Sequence, residues 1–501
     1  MPTRELPSRL SLAQVNLQAK ELRRDHAARK SSAAARIIAH HQSLRGRPLS
    51  EALDRPLPLA DAQLVIAREY GFPSWARLKR HVDAAKHVAK FKTHPRFTEA
   101  LAAFDAGDLR RLGALLASNP ELVHARTNLE PPYHYFTGAT LLHHVAGNPN
   151  RGIPLPENVV EIARLLLESG ADADALTLGR NGGPVMGLLI TSKQASDRDF
   201  SGPLIDLLLE HGAKLDLTDT AEGAPEREKE YPLDPPLINH APRAAEKMIE
   251  LGAKVDVCAA AALGRQDLLR DCFDESGHLK SRPRRGGKVL SERDAIGLAM
   301  LFAYVNKHPD AVEFLLGKDG NWNMIGVNNG TALHRAAWDG DLAMVKRLVA
   351  KGADIGNREN PFVATPLSWA QHNKQTEVFA WMRAHCRIDI HDAVGFGLRE
   401  HVEARLREDP SSVNKLLDQW DIPQCAPIHW AAWPSYEDVE GRHEHTIPAR
   451  EELVRLLLDK GADPNIVAGN GLTALDIALA GSADRIAEIL RARGGKNAAD
   501  L

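Results

Sequence analysis

The chain has few cysteines and no long apolar run, the features that mark disulfide-rich and membrane proteins. Its 501 residues include four cysteines without a CxxC pair, which are too few and too scattered for a disulfide framework. No apolar run approaches the roughly 18 residues that a membrane helix needs, and the amino-terminal residues lack a continuous apolar core. These absences predict a cytoplasmic protein of a reducing compartment that has no membrane partner.

Signatures of common catalytic sites are also missing. The sequence has no Walker loop, no GxGxxG after a predicted strand, no GxSxG and no HExxH. His443 and His445 stand close together in a predicted loop, but no third ligand follows, as a zinc site would need. We therefore expect a protein that is not an enzyme and that holds neither a metal nor a cofactor. A pocket of inserted loops around these two histidines is the enzymatic alternative.

One stretch, Asn328 to Asn357, shows how the rest of the chain is built. It reads NNGTALHRAAWDGDLAMVKRLVAKGADIGN. The small Ala336 and Ala337 would let a first helix pack tightly against its neighbours, and Gly340-Asp341 would turn the chain into a second helix with one apolar face. Gly352 can adopt the left-handed conformation that ends that helix. Because one such unit cannot bury its own apolar face, the sequence predicts a stack of them.

This unit resembles the ankyrin repeat, about 33 residues of β-turn and two helices. The helix-ending signature Gly-Ala-(Asp/Lys)-x-(Asp/Asn) starts at Gly170, Gly212, Gly252, Gly352 and Gly461, with a shortened copy at Gly320. Wider gaps after Gly252 and Gly352 predict further degenerate repeats there. The resemblance implies an all-α ankyrin-repeat solenoid of about eleven repeats over residues 97–497.

Insertions interrupt the period in five places, at residues 148–157, 193–201, 216–236, 277–291 and 434–450. In a solenoid, such insertions become loops on one face, which is often the face that meets a partner. By composition, residues 216–236 and 277–291 are expected to be mobile.

Residues 1–92 differ from the rest of the chain in charge. They hold 18 Lys and Arg against 8 Asp and Glu, whereas the whole chain carries a net charge of −3. Capping residues and apolar spacing predict helical hairpins, with Trp75, Leu78 and Val82 on one buried face. The phrase DAQLVIAREYGFPSWARLKRHV resembles a segment that precedes ankyrin arrays in bacterial proteins. We therefore predict a small basic helical module that covers the end of the stack.

The same segment offers an alternative function as a nucleic-acid-associated regulator. Ala67 and Gly71 have the offset of a helix-turn-helix motif, and Arg77, Lys79 and Arg80 would lie on its second helix. The pattern departs from that family because Arg77 occupies a position that is normally apolar. Solvated helix faces explain the same charges, so nucleic-acid binding remains the second hypothesis.

Tryptophans point to a binding surface. Seven of the eight lie after residue 320. Trp338 and Trp433 both directly follow an Ala-Ala step, a position that the resemblance to ankyrin repeats places on the concave, partner-dependent surface. Trp369 and Trp430 precede the small pair by one residue, so we expect them to pack in the core.

Other aromatic residues near predicted turns are candidates for the same surface. They are Tyr133, Tyr135 and Phe136 before Thr140, Phe362 before Thr365, and Tyr436 after Trp433. Tyrosine and tryptophan are enriched among the residues that dominate protein interfaces. The leading hypothesis is thus a non-enzymatic module that binds another protein through its turn fingers and concave face, centred on residues 330–436.

Overall fold

The computed structural model describes most of the chain. The described residues are 12–40, 49–70, 75, 78, 79, 82, 93–127, 136–178, 183–215, 232–285, 288–326, 330–360, 363–419, 422–433 and 447–501. Two compact units result, one of residues 1–255 with 284–288 and the other of residues 256–283 with 289–501. No helix in the described part is both long enough and apolar enough to cross a membrane.

The basic amino-terminal region is helical, as predicted. Its helices are α1 (Leu12–Ala27), α2 (Ser31–His40), α3 (Leu49–Asp54) and α4 (Leu59–Glu69). Leu22, Ile37 and Val65 are buried in a core that also contains Leu78 and Val82. Trp75 packs against this core, so the predicted buried face is confirmed. Its role as a cover for the repeat stack stays a prediction.

Helix pairs follow in the first unit. They are α5 (Phe97–Asp105) with α6 (Leu109–Ser118), a 3₁₀ helix (Leu141–Ala146) with α7 (Val159–Glu168), α8 (Val185–Ile190) and α9 (Lys193–Asp197) with α10 (Ser201–Glu210), and α11 (Asp234–Ile238) with α12 (Pro242–Glu250). Short 3₁₀ helices also occur at Pro120–His124 and Pro149–Arg151.

The second unit continues the same pattern. Its pairs are α13 (Val257–Ala262) and α14 (Gln266–Asp271), α15 (Glu292–Val305) and α16 (Pro309–Leu316), α17 (Ala332–Asp339) and α18 (Leu342–Ala350), α19 (Pro366–His372) and α20 (Thr376–His385), α21 (Ile390–Gly395) and α22 (Arg399–Glu408), α23 (Pro427–Ala432) and α24 (Ile447–Asp459), and α25 (Ala474–Ala480) and α26 (Asp484–Ala492). Over the described residues, the two units together show the predicted number of pairs. Further 3₁₀ helices are Pro410–Asn414 and Ala498–Asp500.

Strands are few and short in the described residues. β1 (Arg284–Arg285) pairs with β2 (Lys288–Val289), and β3 (Leu417–Gln419) pairs antiparallel with β4 (Ile422–Cys425). Each pair forms a two-stranded sheet in a turn between helices, so the fold is all-α, as predicted.

The repeat around α17 shows why these residues form a helix pair. Thr331 caps α17, and Gly340 ends it in the left-handed region with φ 76°. Asp341 then caps α18 by accepting a hydrogen bond from the backbone N–H of Met344 at 2.9 Å. Ala336 and Ala337 are fully buried, and the absence of larger side chains there lets α17 lie against α19.

The first helices of successive repeats lie side by side within the second unit. α17 contacts α19, α21 contacts α23, and α23 contacts α25. We call these the inner helices, and their partners α18, α20, α22, α24 and α26 the outer helices. This arrangement brings residues from the same position of successive repeats next to one another.

Residues 277–291 are described except 286 and 287, and their mobility stays a prediction. The Arg285 side chain, 13% exposed, pairs with the buried Asp234 at 2.6 Å between Nε and Oδ2. Composition did not reveal this contact because the carboxylate lies far away in sequence, at the start of α11. Residues 216–231 of insertion 216–236 lie outside the described part.

Candidate functional site

Four aligned residues define the candidate surface, which we call the inner column. Trp338, His372, Gly395 and Trp433 each follow the small or short pair near the end of an inner helix in successive repeats. His372 is exposed, and the other three are half-buried. No member carries a fixed charge, so the column presents aromatic and bare-backbone surface.

The Trp338 ring is held by neighbouring aromatic side chains. It stacks on His372 with ring centroids 5.7 Å apart and an interplanar angle of 27°. The Trp369 ring meets it edge-on at 5.8 Å. Trp369, which was expected in the core, is half-buried like Trp338 and packs edge-on against the buried His334 at 5.1 Å.

The backbone of Trp338 is anchored from the next repeat. Its carbonyl oxygen accepts hydrogen bonds from Nδ2 of Asn373 at 2.7 Å and from Nε2 of Gln375 at 3.0 Å. Carbonyls near a helix end lack partners within the helix, so these side chains satisfy a group that would otherwise need water. A half-buried tryptophan with a fixed backbone costs little conformational entropy on binding.

Trp433 reaches the column by a different local conformation. α23 ends at Ala432, and Trp433 follows it with extended backbone angles of φ −74° and ψ 127°. Trp338, by contrast, lies inside α17. Aligned positions in two repeats therefore differ in backbone conformation, which their shared sequence pattern does not indicate.

Gly395 has no side chain and so leaves a gap in the column, where the repeat order places it after His372 and before Trp433. A Cβ atom placed on Gly395 would meet no atom of the described residues within 4 Å. The gap is therefore open toward the side on which a Gly395 side chain would project. The repeat period places His372 and Gly395 in this column, but neither is a tryptophan or a tyrosine, so the aromatic pattern of the sequence did not reveal them.

Phe136 is a correction. The sequence predicted an exposed ring, but Phe136 is 1% exposed and its ring lies 5.5 Å from that of His144. A turn closed by the Ala139 N–H and the Phe136 carbonyl precedes the 3₁₀ helix of this repeat. Since its ring is buried, Phe136 is not available to a partner.

Several other predicted residues lie outside the described part of the chain. They are Tyr133, Tyr135, Phe362 and Tyr436 of the predicted partner surface, Arg77 and Arg80 of the nucleic-acid alternative, and His443 and His445 of the enzymatic one. Lys79 is described and is exposed. Among the described residues, no three His, Cys, Asp or Glu side chains come together as a metal site would require.

A buried ionic network ties the turn before α19 to α21. Nη2 of Arg358 lies 2.6 Å from Oδ2 of Asp389 and 2.7 Å from Oδ1 of Asp392. The Thr365 hydroxyl donates a hydrogen bond to the other oxygen of Asp392. These contacts join the repeat that contains α19 to the repeat that contains α21.

Burial and pairing shift the pKa values of this network in different directions. Burial alone would lower the pKa of Arg358, but Asp392 and Asp389 outweigh it and raise that pKa. Burial also opposes ionisation of Asp389, yet Arg358 lowers the Asp389 pKa overall. The pKa of Asp392 is raised, chiefly by its complete burial. The network is thus one cation shared by the buried carboxyl group of Asp392 and the half-buried one of Asp389.

Models of the ankyrin-repeat family match two parts of the chain. Residues 299–394 match the family model described as ankyrin repeats in three copies. Residues 443–491 match the model described as ankyrin repeats in many copies. No curated protein matches the chain significantly.

Three of the solved structures that are similar to the chain superpose on it poorly as a whole. A predatory endopeptidase complex, Bd0816 of Bdellovibrio bacteriovorus with the immunity protein Bd3460, is 21% identical, covers 40% of this chain and 97% of the other, and has a TM-score of 0.26. The ankyrin-repeat protein EF0377 is 24% identical over 38% and 96% of the two chains, with a TM-score of 0.27. The human ASB11 ankyrin-repeat domain is 18% identical over 56% and 96%, with a TM-score of 0.27.

Proposed function

Since this chain is an ankyrin-repeat protein, we propose that it binds another protein through the inner column and the adjoining turns of residues 330–436. Ankyrin repeats are in general protein–protein interaction modules. We further propose that the chain is not itself an enzyme and acts in a reducing, cytoplasmic compartment, where its four free cysteines would stay reduced. Trp338 and Trp433 are the anchors of the proposed interface.

The observation that carries this proposal is the anchored, half-buried state of both tryptophans. The carbonyl of each accepts hydrogen bonds from side chains, Trp338 from Asn373 and Gln375 and Trp433 from Arg450. Hot spots of protein interfaces are enriched in tryptophan, and a preorganised anchor avoids part of the entropy cost of binding. Uncharged neighbours in the column avoid the desolvation cost that a buried charge would add.

Replacing both anchors should weaken partner binding strongly. We expect Trp338→Ala with Trp433→Ala to lower affinity at least 30-fold, because one hot-spot side chain is worth about 2 kcal/mol or more. The measurement is affinity capture from native lysate with the tagged full chain, followed by titration of each captured protein. Circular dichroism checks that the variant remains folded.

Trp381 on outer helix α20 provides the matched control. It is also half-buried and stacks on His385 at 5.0 Å, but it lies outside the inner column. Trp381→Ala should retain the partners. The assigned surface is wrong if the double variant keeps every partner at full strength.

Nucleic-acid association through the basic module is the second candidate. Lys20, Arg24 and Lys79 are exposed there, whereas Arg36 is engaged by the buried carboxylate of Glu69 at 2.6 Å. The exposed cations favour a polyanion, and the paired ones reduce the charge that is available to it.

Salt dependence tests the second candidate. If it is correct, the full chain should retard DNA or RNA at about 50 mM salt and lose affinity by 10-fold or more at about 200 mM, because phosphate contacts release counterions. Lys20→Glu with Arg24→Glu should abolish the retardation. No retardation by the unaltered chain at the lower salt concentration would reject this candidate.

A further inference from the structure

Arg450 connects two inner helices from an outer one. It lies in the first turn of α24, is 9% exposed, and extends to the ends of α21 and α23. Its Nη1 donates to the carbonyls of Trp430 at 3.0 Å and of Trp433 at 2.6 Å. Its Nη2 lies 3.4 Å from the Gly395 carbonyl oxygen.

The ends of two helices therefore share one guanidinium. The last carbonyls of a helix have no partner within the helix, and the partial negative charge of that end favours a cation. Gly395 is the last residue of α21, and Trp430 lies in α23. A planar guanidinium can donate in several fixed directions, which a lysine ammonium on one flexible stem cannot reproduce.

The backbone of Trp433 is anchored by this contact, as that of Trp338 is anchored by Asn373 and Gln375. Trp433 lies beyond the end of α23, where the helix no longer fixes its backbone. Its own N–H donates to the Trp430 carbonyl at 3.3 Å. The short hydrogen bond from Arg450 to its carbonyl, at 2.6 Å, therefore holds its backbone more firmly.

We propose that Arg450 is a positioning residue that sets the direction of Trp433 and the width of the gap at Gly395. This inference rests on the proposed function, in which both belong to the partner-binding surface. Gly395 and Trp433 occupy successive places in the column, and Arg450 touches the backbone carbonyl of both. Arg450 thereby determines which partner side chain fits beside Trp433, although Arg450 itself is buried.

Fluorine NMR on the full chain labelled with 5-fluorotryptophan tests this inference in the free protein. The Trp433 signal is assigned by its loss in Trp433→Phe. We expect Arg450→Lys and Arg450→Ala to shift or broaden that signal, while the signals of Trp322 and Trp381 stay in place. Arg455, exposed on the same helix, gives the control, and Arg455→Ala should leave every signal unchanged.

An unmoved Trp433 signal in Arg450→Lys and Arg450→Ala would overturn the inference. If Arg450→Ala collapses all signals because the chain unfolds, Arg450→Lys decides, since it keeps the charge and most of the length. A shift confined to Trp433 then supports positioning, and an unchanged spectrum rejects it. Because no partner is present, failure here is distinguishable from failure of the proposed function, which the capture experiment tests.

Discussion

Acidification from about pH 7 to about pH 4.5 should unfold the repeat units, because buried histidines join successive turns as neutral imidazoles. Nε2 of His143 lies 3.0 Å from the Ala175 carbonyl oxygen, and Nε2 of His334 lies 3.0 Å from that of Ala364. His429 makes the same contact with Ile466 at 3.0 Å. Nε2 of His391 lies 2.9 Å from the Lys415 carbonyl oxygen.

The tautomer of these rings follows from their other nitrogen. Nδ1 of His143 accepts the Thr140 N–H at 3.0 Å, and Nδ1 of His429 accepts the Ala426 N–H at 2.9 Å. Nε2 must then carry the proton and donate to the carbonyl of the next turn. A second proton on Nδ1 would point at the backbone N–H that now donates to this nitrogen. Protonation would therefore break the hydrogen bond between the histidine and the backbone at the start of its helix.

Burial lowers the pKa of each ring. It lowers the pKa of His143 to about 3, and those of His334 and His391 to about 4. The pKa of His429 is lowered too, mainly by burial. Arg358 also lowers the pKa of His334 and of His391, whereas Asp354 and Asp389 respectively oppose these shifts.

The sign of the pH effect follows from these directions. Between the unfolded histidine pKa of about 6.5 and the folded values, the unfolded chain binds more protons, so stability falls as the pH falls. Each histidine contributes a slope of about 1.4 kcal/mol per pH unit, and a typical domain has only about 5–15 kcal/mol to lose. Asp392, whose pKa is raised by burial, acts in the opposite direction, but it is a single group.

Urea unfolding followed by circular dichroism at a series of pH values checks this expectation. The midpoint should fall steeply below about pH 6.5. His334→Gln should lower stability at neutral pH but make the pH dependence shallower, whereas His372→Gln, which removes an exposed ring, should leave the slope unchanged. A midpoint that stays constant down to pH 5 would contradict the assignment of neutral, buried rings.

Removal of Arg358 should destabilise the second unit strongly. Arg358→Met leaves Asp389 and Asp392 without their shared cation, and breaking a buried pair by removing one partner costs about 3–5 kcal/mol. Methionine keeps much of the side-chain volume, so the effect reports the charge and hydrogen bonds more than a cavity. The free energy of unfolding from urea titration at pH 7 is the measurement.

An exposed pair in the same unit provides the control. Arg347 on α18 pairs with Glu313 on α16, and the two side chains are 41% and 61% exposed. Because water screens such a pair, Arg347→Met should cost about 0–1 kcal/mol. Equal losses from the two variants would show that the Arg358 network contributes no more than a surface ion pair does.

Local sequence was sufficient for the helix pairs because each repeat carries its own start and stop signals. Thr331, Gly340 and Asp341 mark the ends of α17 and the start of α18 within one short stretch, and the structure places helix ends at these residues. Each repeat packs against the next through the same kind of contact, so the sequence repeat produces a regular stack of helix pairs. The all-α class and the number of repeats followed from this.

What the sequence determined by itself was therefore whatever depends on residues close together in the chain: the helix pairs, their caps, the count of repeats and the positions that share a column. Tertiary structure alone decided the burial of Phe136, the extended backbone of Trp433, and the pairing of Arg285 with Asp234 and of Arg358 with two carboxylates. The physical reason is that burial and ion pairing are set by atoms from other repeats and from insertions. No local pattern records those distances.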